Sequence, residues 1–481
     1  MNESTLVNKV WNYASVLREA GLTYTDYVLQ FTYLLFLKMD EEREDALGEG
    51  SQVPKKYNWK SLKNLTGDAL EAHYRAILEA LSKQSGLVGT IYRKAQNKIN
   101  EPARLQRLVA LIDEQTWYGL NIDVKGAIYE GLLARNAEES KAGAGQYFTP
   151  RPLIKAMVDV MQPTASTSVC DPACGTGGFL LAAYDYMKGQ TNDRRAIQKL
   201  QNEKLFGADI TEQVASLCAM NMLLHGIVGA NIQGGRDVLL ADDGERFDMV
   251  LANPPFGKKS SYTILTEDGG TERETEDYER QDFKVTTSNK QLNFIQHITT
   301  IMKRDGKAAV VLPDNVLFEA GAGEKIRKRL LNDFDLHTIL RLPTGIFYKQ
   351  GVKANVLFFD TKPTATQPWT KETWIYDFRT NRHFTLVENP LRREDLNDFV
   401  KCYNANDRGK RKETDCFKRF TYDQLVARDK LNLDIFWLKD DSLEDIENLP
   451  APDIIAAEIV ENLESALEQF RSVTEALKKA G

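Results

Sequence analysis

From residue 146 to residue 360 the chain alternates short apolar runs with amphipathic stretches, and no other feature limits its fold so strongly. Thr167–Cys170, Leu205–Asp209, Asn231–Gln233, Phe247–Ala252, Ala308–Leu312, Thr338–Leu342 and Asn355–Asp360 read as strands. Helical spacing falls between them, at Leu153–Met161, Leu180–Ala183, Thr211–His225 and Gln291–Met302. Alternating β and α signals predict an α/β fold with one doubly wound sheet. In such a sheet ligands bind beyond the carboxyl ends of the strands.

Two of those ends carry informative residues. After Thr167–Cys170 comes Asp171-Pro172-Ala173-Cys174-Gly175-Thr176-Gly177-Gly178-Phe179, and then a helix. Glycines let the backbone turn tightly and let a ligand come close, so bulk at Gly177 would occupy ligand space. The spacing is not G-x-G-x-x-G, and no Lys-Ser/Thr of a phosphate loop follows, which turns the reading away from a pyrophosphate. Leu205–Asp209 ends in an acid of the kind that binds ribose hydroxyls. Lys188–Lys204 is an inserted polar helix or loop before it.

The second end is Asn253-Pro254-Pro255-Phe256, directly after Phe247–Ala252. The prolines fix φ and donate no hydrogen bond, holding Asn253 and Phe256 in a rigid extended pose. An amide, free carbonyls and an exposed aromatic face suit a flat ring with an exocyclic amine. The alternative is a plain turn with a core Phe. Ahead of both lies Gln146-Tyr147-Phe148-Thr149-Pro150-Arg151-Pro152, where Thr149 and Pro150 fit a helix N-cap and first helical residue. A helix N-terminus favours a carboxylate or phosphate.

The flanks differ. Residues 1–140 read as a helical domain, with apolar steps at Val7, Val10, Trp11, Ala14 and Leu17 and again at Tyr27, Phe31, Leu34 and Leu35. Lys141-Ala142-Gly143-Ala144-Gly145 is a flexible joint, and the catalytic domain is placed at 141–400. Gly257–Lys290 is long and polar, either a lid or disorder. Beyond Thr361 the pattern loosens. Lys401, Arg408, Lys410, Arg411, Lys412, Lys418 and Arg419 form a basic cluster, for phosphate or for solvent. In the 401–481 segment, Ile459, Leu463, Ala466, Phe470, Val473 and Leu477 make a short heptad seam, able to dock on a partner helix or fold back.

Composition sets limits. The chain has 481 residues, enough for two or three domains. No apolar run spans a bilayer and no signal peptide is read at Met1-Asn2-Glu3-Ser4, so no membrane is expected. Five scattered cysteines fit a reduced, cytoplasmic setting. Cys170 and Cys174 lack a second pair or a nearby His, so no metal is assigned. A net charge of −7 makes any DNA contact local or shared with a partner.

The segment 146–152, the glycine loop at 171–179 and the tetrapeptide at 253–256, in that order, resemble the N6-adenine DNA methyltransferases, and in particular the methylation subunits of type I restriction–modification systems. The likeness extends to the helical front, to Leu292–His297 and to the helical tail, and it implies a Rossmann-like methyltransferase sheet that binds S-adenosylmethionine. Gly175, Thr176, Gly177 and Gly178 would lie against the cofactor, with Asp171 in the same loop. Gln146, Tyr147, Phe148, Thr149, Pro150 and Arg151 would close over it. Asp209 would take the ribose hydroxyls, although the family often has Glu there, and Asp237 would take the adenine amine. Asn253 and the Pro254 carbonyl, set by Pro255, would accept hydrogen bonds from N6 of a flipped adenine, and Phe256 would stack on it. The implied partners are double-stranded DNA, a specificity subunit, a restriction subunit and a second methylation subunit. The competing readings are methylation of RNA bases or protein glutamine, and a catalytically silent scaffold.

Overall fold

The computed structural model describes residues 13, 22–47, 51–117, 129–133, 149–256, 261–265, 271–275, 278–347, 352–386, 388–439, 456 and 460. The expectations for Val7 to Leu17, the joint at 141–145, Gln146, Tyr147, Phe148 and the seam from Ile459 to Leu477 lie outside them.

In chain order, the described front holds α1 (Tyr24–Leu47), a short helix at Trp59–Lys63, α2 (Gly67–Leu81), α3 (Gly86–Tyr92) and α4 (Pro102–Asp113). Next are α5 (Arg151–Met161), β1 (Val169–Asp171), α6 (Gly178–Lys188), α7 (Arg194–Glu203), β2 (Leu205–Asp209), α8 (Glu212–Leu224), β3 (Asn231–Gly234) and β4 (Phe247–Ala252). A hairpin of β5 (Ser261–Leu265) and β6 (Thr271–Thr275) precedes α9 (Lys290–Ile301) and β7 (Met302–Pro313). Then follow α10 (Ala322–Asp333), β8 (Phe334–Arg341), β9 (Ala354–Thr361), β10 (Glu372–Asp377), α11 (Asn397–Tyr403) and β11 (Phe417–Thr421). Among the described residues no helix is long and apolar enough to cross a membrane.

The chain forms two compact units. The first takes in residues up to 148, then Gln162–Val238 and Met249–Ala252. Its strands run parallel in the order β4-β1-β2-β3, with Val169 beside both Leu205 and Met249, and Phe206 beside Asn231. The crossovers are α6 with α7, and α8, the Rossmann-like pattern of parallel strands joined through helices. Residues 188–204 resolve into α7, whose one buried side chain is Leu200. The front helices belong to this unit. Ser216 Oγ on α8 donates to the Ile91 carbonyl at 2.6 Å, and Thr90 Oγ1 donates to the Ile232 carbonyl at 3.0 Å. Tyr33 and Tyr92 stack with centroids 5.4 Å apart, and the Tyr92 hydroxyl donates to the Tyr33 carbonyl at 2.6 Å.

The second unit contains Thr149–Met161, Leu239–Asp248 and the chain from Asn253 on. Its strand order is β11-β10-β8-β9-β7. β10 is parallel to β8, and the other pairs are antiparallel. Val310, Val311, Leu357, Phe358 and Phe359 are all buried, the continuous apolar run of strands covered on both faces. Asn289 caps α9, accepting from the Gln291 and Leu292 amides.

Three expectations change here. Beyond Thr361 the chain supplies β10 and β11, because Trp374, Ile375 and Tyr376 gain partners in β8 that lie far away in sequence. The polar stretch after the tetrapeptide is not structureless: it holds the β5–β6 hairpin, and its end is folded onto α9. The Lys284 and Val285 amides donate to Gln296 Oε1 at 2.9 and 3.0 Å, and Phe283 is buried under the Arg280 guanidinium. The basic cluster is partly internal. Arg408 pairs with Asp360 at 2.6 Å, and buried Arg411 donates to the Tyr403 carbonyl at 2.6 Å and to Thr338 Oγ1 at 2.9 Å. Those two arginines serve unit structure, not phosphate.

Candidate active site

The site residues fall in both units, and each set is built locally. In the first unit β1 delivers Asp171 to the start of the glycine loop. Its carboxylate is buried and accepts from the Ala173 amide at 3.0 Å. Burial pushes it up to about 8, the Ala173 hydrogen bond opposes the shift, and the Asp209 charge adds to it. The loop is pinned by backbone bonds from Cys174 N to Ala208 O at 2.9 Å and from Gly177 N to Cys174 O at 2.8 Å.

Asp209, at the end of β2, accepts from the Gly175 amide at 3.2 Å and the Thr211 amide at 2.8 Å. Burial raises its carboxyl above the usual range, against the pull of those two amides. The acid expected for a ribose therefore also holds the glycine loop. Asp237 is half-buried, three residues past the end of β3.

The glycines divide by role. Gly177 has φ +85, and a Cβ there would come within 2.6 Å of Met222 Cε and 2.9 Å of Cys218 Sγ. Protein fills that side, so bulk at Gly177 collides with α8 and not with ligand space. Gly175 has φ +54, and a Cβ on it would meet nothing within 4 Å. The open approach is at Gly175. Thr176 is tied by its carbonyl, which accepts from Asn221 Nδ2 at 2.9 Å, and Gly178 opens α6. Two residues here were not anticipated. Asn221 is fully buried in α8, and Ile210, next to Asp209, is 60% exposed.

In the second unit the tetrapeptide meets the front motif. Asn253 Nδ2 donates to Thr149 Oγ1 at 2.8 Å, across 104 positions of sequence. Thr149 is buried, and α5 begins at Arg151, one residue later than expected. The Thr149 hydroxyl thus orients Asn253, while the Pro150 carbonyl accepts from the Ile154 amide at 3.1 Å. Pro254 is buried and Pro255 exposed. Phe256 corrects the expectation of an exposed aromatic face: it is 7% exposed and packs edge-to-face on Phe347, centroids 5.9 Å apart. Two rings excluding water together are more stable than one in solvent. Phe347 comes from the turn after β8, where the apolar pair Ile346-Phe347 beyond a strand end was the available signal.

The strand ends of this unit are locked by ion pairs. Arg379 forks onto Asp314 at 2.6 and 2.8 Å and donates to the Leu342 carbonyl at 2.8 Å. Arg341 donates to Asp377 at 2.8 Å, both side chains 1% exposed.

The first unit thus holds two acids framed by backbone amides beside an open glycine, and the second holds an Asn-Pro-Pro-Phe turn oriented by a threonine. The N-6 DNA methylase family description matches residues 120–438, and the HsdM N-terminal domain matches residues 6–113. The chain is 38% identical to the StySJI type I restriction enzyme methylase subunit of Salmonella typhimurium, and equally to the EcoKI methylase subunit of Escherichia coli K12. In each case 98% of this chain and 94% of the relative are covered. A chain from a solved type I R–M system is 26% identical with a TM-score of 0.74, over all of this chain and 99% of its own. The chain belongs to the N-6 DNA methylases and, among them, to the methylase subunits of type I restriction enzymes: it is a DNA adenine methyltransferase. That membership favours adenine in DNA over RNA bases or protein glutamine as the acceptor.

Proposed function

We propose that the chain transfers a methyl group from S-adenosylmethionine to N6 of an adenine flipped out of DNA, at a site chosen by a specificity subunit. The observation that carries the reading is the Asn253–Thr149 hydrogen bond. It fixes the amide so that Asn253 presents its carbonyl oxygen, with the Pro254 carbonyl, as acceptors for the two N6 hydrogens. That arrangement localises the N6 lone pair and aims it at the methyl donor. Phe256, backed by Phe347, presents an edge or shifts to stack on the base.

The residues present fit the cofactor. The space above Gly175 is open, Asp209 retains acceptor capacity for ribose hydroxyls, Asp237 is the candidate for the adenine amine, and Ile210 offers an apolar face to the ring. Gln146, Tyr147, Phe148, Thr149, Pro150 and Arg151 remain the proposed covering segment, with Asp171, Thr176, Gly177 and Gly178 shaping the loop. When bound, the cofactor supplies an electrophilic methyl on a sulfonium.

Relatives named as methylase subunits of type I restriction enzymes support assembly with further subunits; on the family resemblance these are a specificity subunit, a restriction subunit and a second methylase subunit, in the cytoplasm. The functional division is residues 1–140, 141–400 and 401–481, with the tail as the tether. The test is transfer of labelled methyl to unmethylated DNA by the chain purified with its partners. Label in N6-methyladenine is the expected result, and label in protein or RNA alone overturns the proposal.

A further inference from the structure

Phe436 is 66% exposed, more than any other large apolar side chain among the described residues. It is not loose. Its ring centroid lies 4.2 Å from Arg341 Cζ. That guanidinium is buried and held in place, with Nη1 donating to Asp377 at 2.8 Å and Nη2 3.3 Å from Asp434. Arg341 Nε makes no hydrogen bond, and the guanidinium lies over the Phe436 ring. The backbone around Phe436 is pinned. The Leu433 amide donates to the Leu317 carbonyl at 2.8 Å, Trp437 Nε1 to the Asp415 carbonyl at 2.7 Å, and Asn381 Nδ2 to the Lys439 carbonyl at 3.2 Å.

A rigid aromatic with one face on a cation and the other in solvent is a platform. We propose that Phe436 stacks on a base of DNA left unpaired when the target adenine is flipped, an inference that rests on the flipping reading above. Three observations favour a nucleobase over a protein side chain. Exposed cations stand near residues 433–439, beside the acids Asp377 and Asp434: Lys439 is in the segment, Lys353 acts on Asp434, and Arg382 follows Asn381, which bonds the Lys439 carbonyl. Arg341 ends β8, at the carboxyl end where ligands of such sheets bind, and the same turn continues to Phe347 and so to Phe256. Phe256 itself is buried, and among the described residues Phe436 is the most exposed phenylalanine. Base–aromatic stacking corresponds to about 5- to 150-fold in affinity.

The test uses the assembled methylase with its specificity subunit and a duplex carrying the site mapped from its own methylation. Phe436→Leu and Phe436→Ala should each weaken DNA binding about tenfold or more, while Phe436→Trp restores it. Cofactor affinity and the thermal midpoint should stay unchanged in all three. 5-Iododeoxyuridine opposite the target adenine should crosslink to residue 436 in the wild type. Wild-type affinity in Phe436→Leu, or loss of the specificity subunit from Phe436→Ala, overturns the platform. 2-Aminopurine at the target position reports flipping separately. No fluorescence rise with wild-type protein overturns the flipping reading and the platform together, whereas a normal rise with unchanged DNA affinity in Phe436→Ala overturns the platform alone.

Discussion

The two sets of site residues are built on different chemistry. Around the glycine loop the polar contacts are mostly backbone amides given to one buried and one half-buried acid, and conformational freedom at Gly175 and Gly177 shapes the surface. Around the tetrapeptide the contacts are side chain to side chain: Asn253 on Thr149, Arg379 on Asp314, Arg341 on Asp377. A backbone cradle takes up any ligand of the right shape and tolerates changes that keep φ. A side-chain lattice fixes individual atoms, as a positioned nucleophile requires. The first set should therefore fail through shape and ionisation, the second through loss of single polar groups.

The largest expected effect is at Asn253. Asn253→Ala should lower methylation by a factor of about 10² or more with cofactor affinity unchanged, as when one preorganised polar group is removed from a reacting centre. Single-turnover methyl transfer with saturating cofactor checks it, and near-normal rates would return the tetrapeptide to a plain turn. The matched experiment in the cradle is Gly177→Val against Gly175→Ala. The first drives side-chain atoms into Met222 and Cys218 at a left-handed φ and should lower stability by about 2–4 kcal/mol. The second adds strain of about 1–2 kcal/mol in open space and should act chiefly on cofactor affinity. Equal losses of midpoint in both variants would erase the distinction between the two glycines.

The strands that lead into the two sets are the most legible part. β2 and β4 match the sequence reading residue for residue, because an apolar run ended by an acid or by two prolines leaves little choice of register. What could not be read was whatever depends on a distant partner. Arg408 and Arg411 sit in a run of surface-like charge, and only the positions of Asp360, Tyr403 and Thr338 turn them inward. Glycine roles also required coordinates, since Gly175 and Gly177 look alike until α8 is placed against one of them. Phe256 followed the same rule: its burial is decided by Phe347, ninety-one positions along the sequence.

Ionisation separates the sets further. Asp171 has its carboxyl pushed up to about 8 from the usual 3.8. Between those values the folded protein keeps a proton that the unfolded chain has released, so unfolding releases it. Stability of the cofactor-free protein should then fall as pH rises from about 4 to about 8 and level off above, with a slope of up to about 1.4 kcal/mol per pH unit. Asp171→Asn should flatten the curve in part, since Asp209 is shifted in the same direction. Denaturation midpoints at pH 5 and 8 check it. A slope identical in wild type and Asp171→Asn would mean that Asp171 is ionised in the folded protein.

The smallest effect is the most discriminating for the side-chain lattice. Thr149→Val keeps the shape of the residue and removes the oxygen that accepts from Asn253. A hydrogen bond of this kind contributes about 0.5–1.5 kcal/mol, so the rate of methyl transfer should fall about 2- to 13-fold. The mechanism predicts where that loss appears. If Thr149 orients the Asn253 amide, kcat drops while KM for the cofactor holds, and Thr149→Ser recovers most of the rate. In an Asn253→Ala background the Thr149→Val change should then add little, because two groups acting on one geometry are not additive. If Thr149 instead serves as part of the segment covering the cofactor, KM for the cofactor rises and the double variant loses the product of the two factors. A double-mutant cycle on kcat and on KM decides between orientation of the acceptor and closure over the donor.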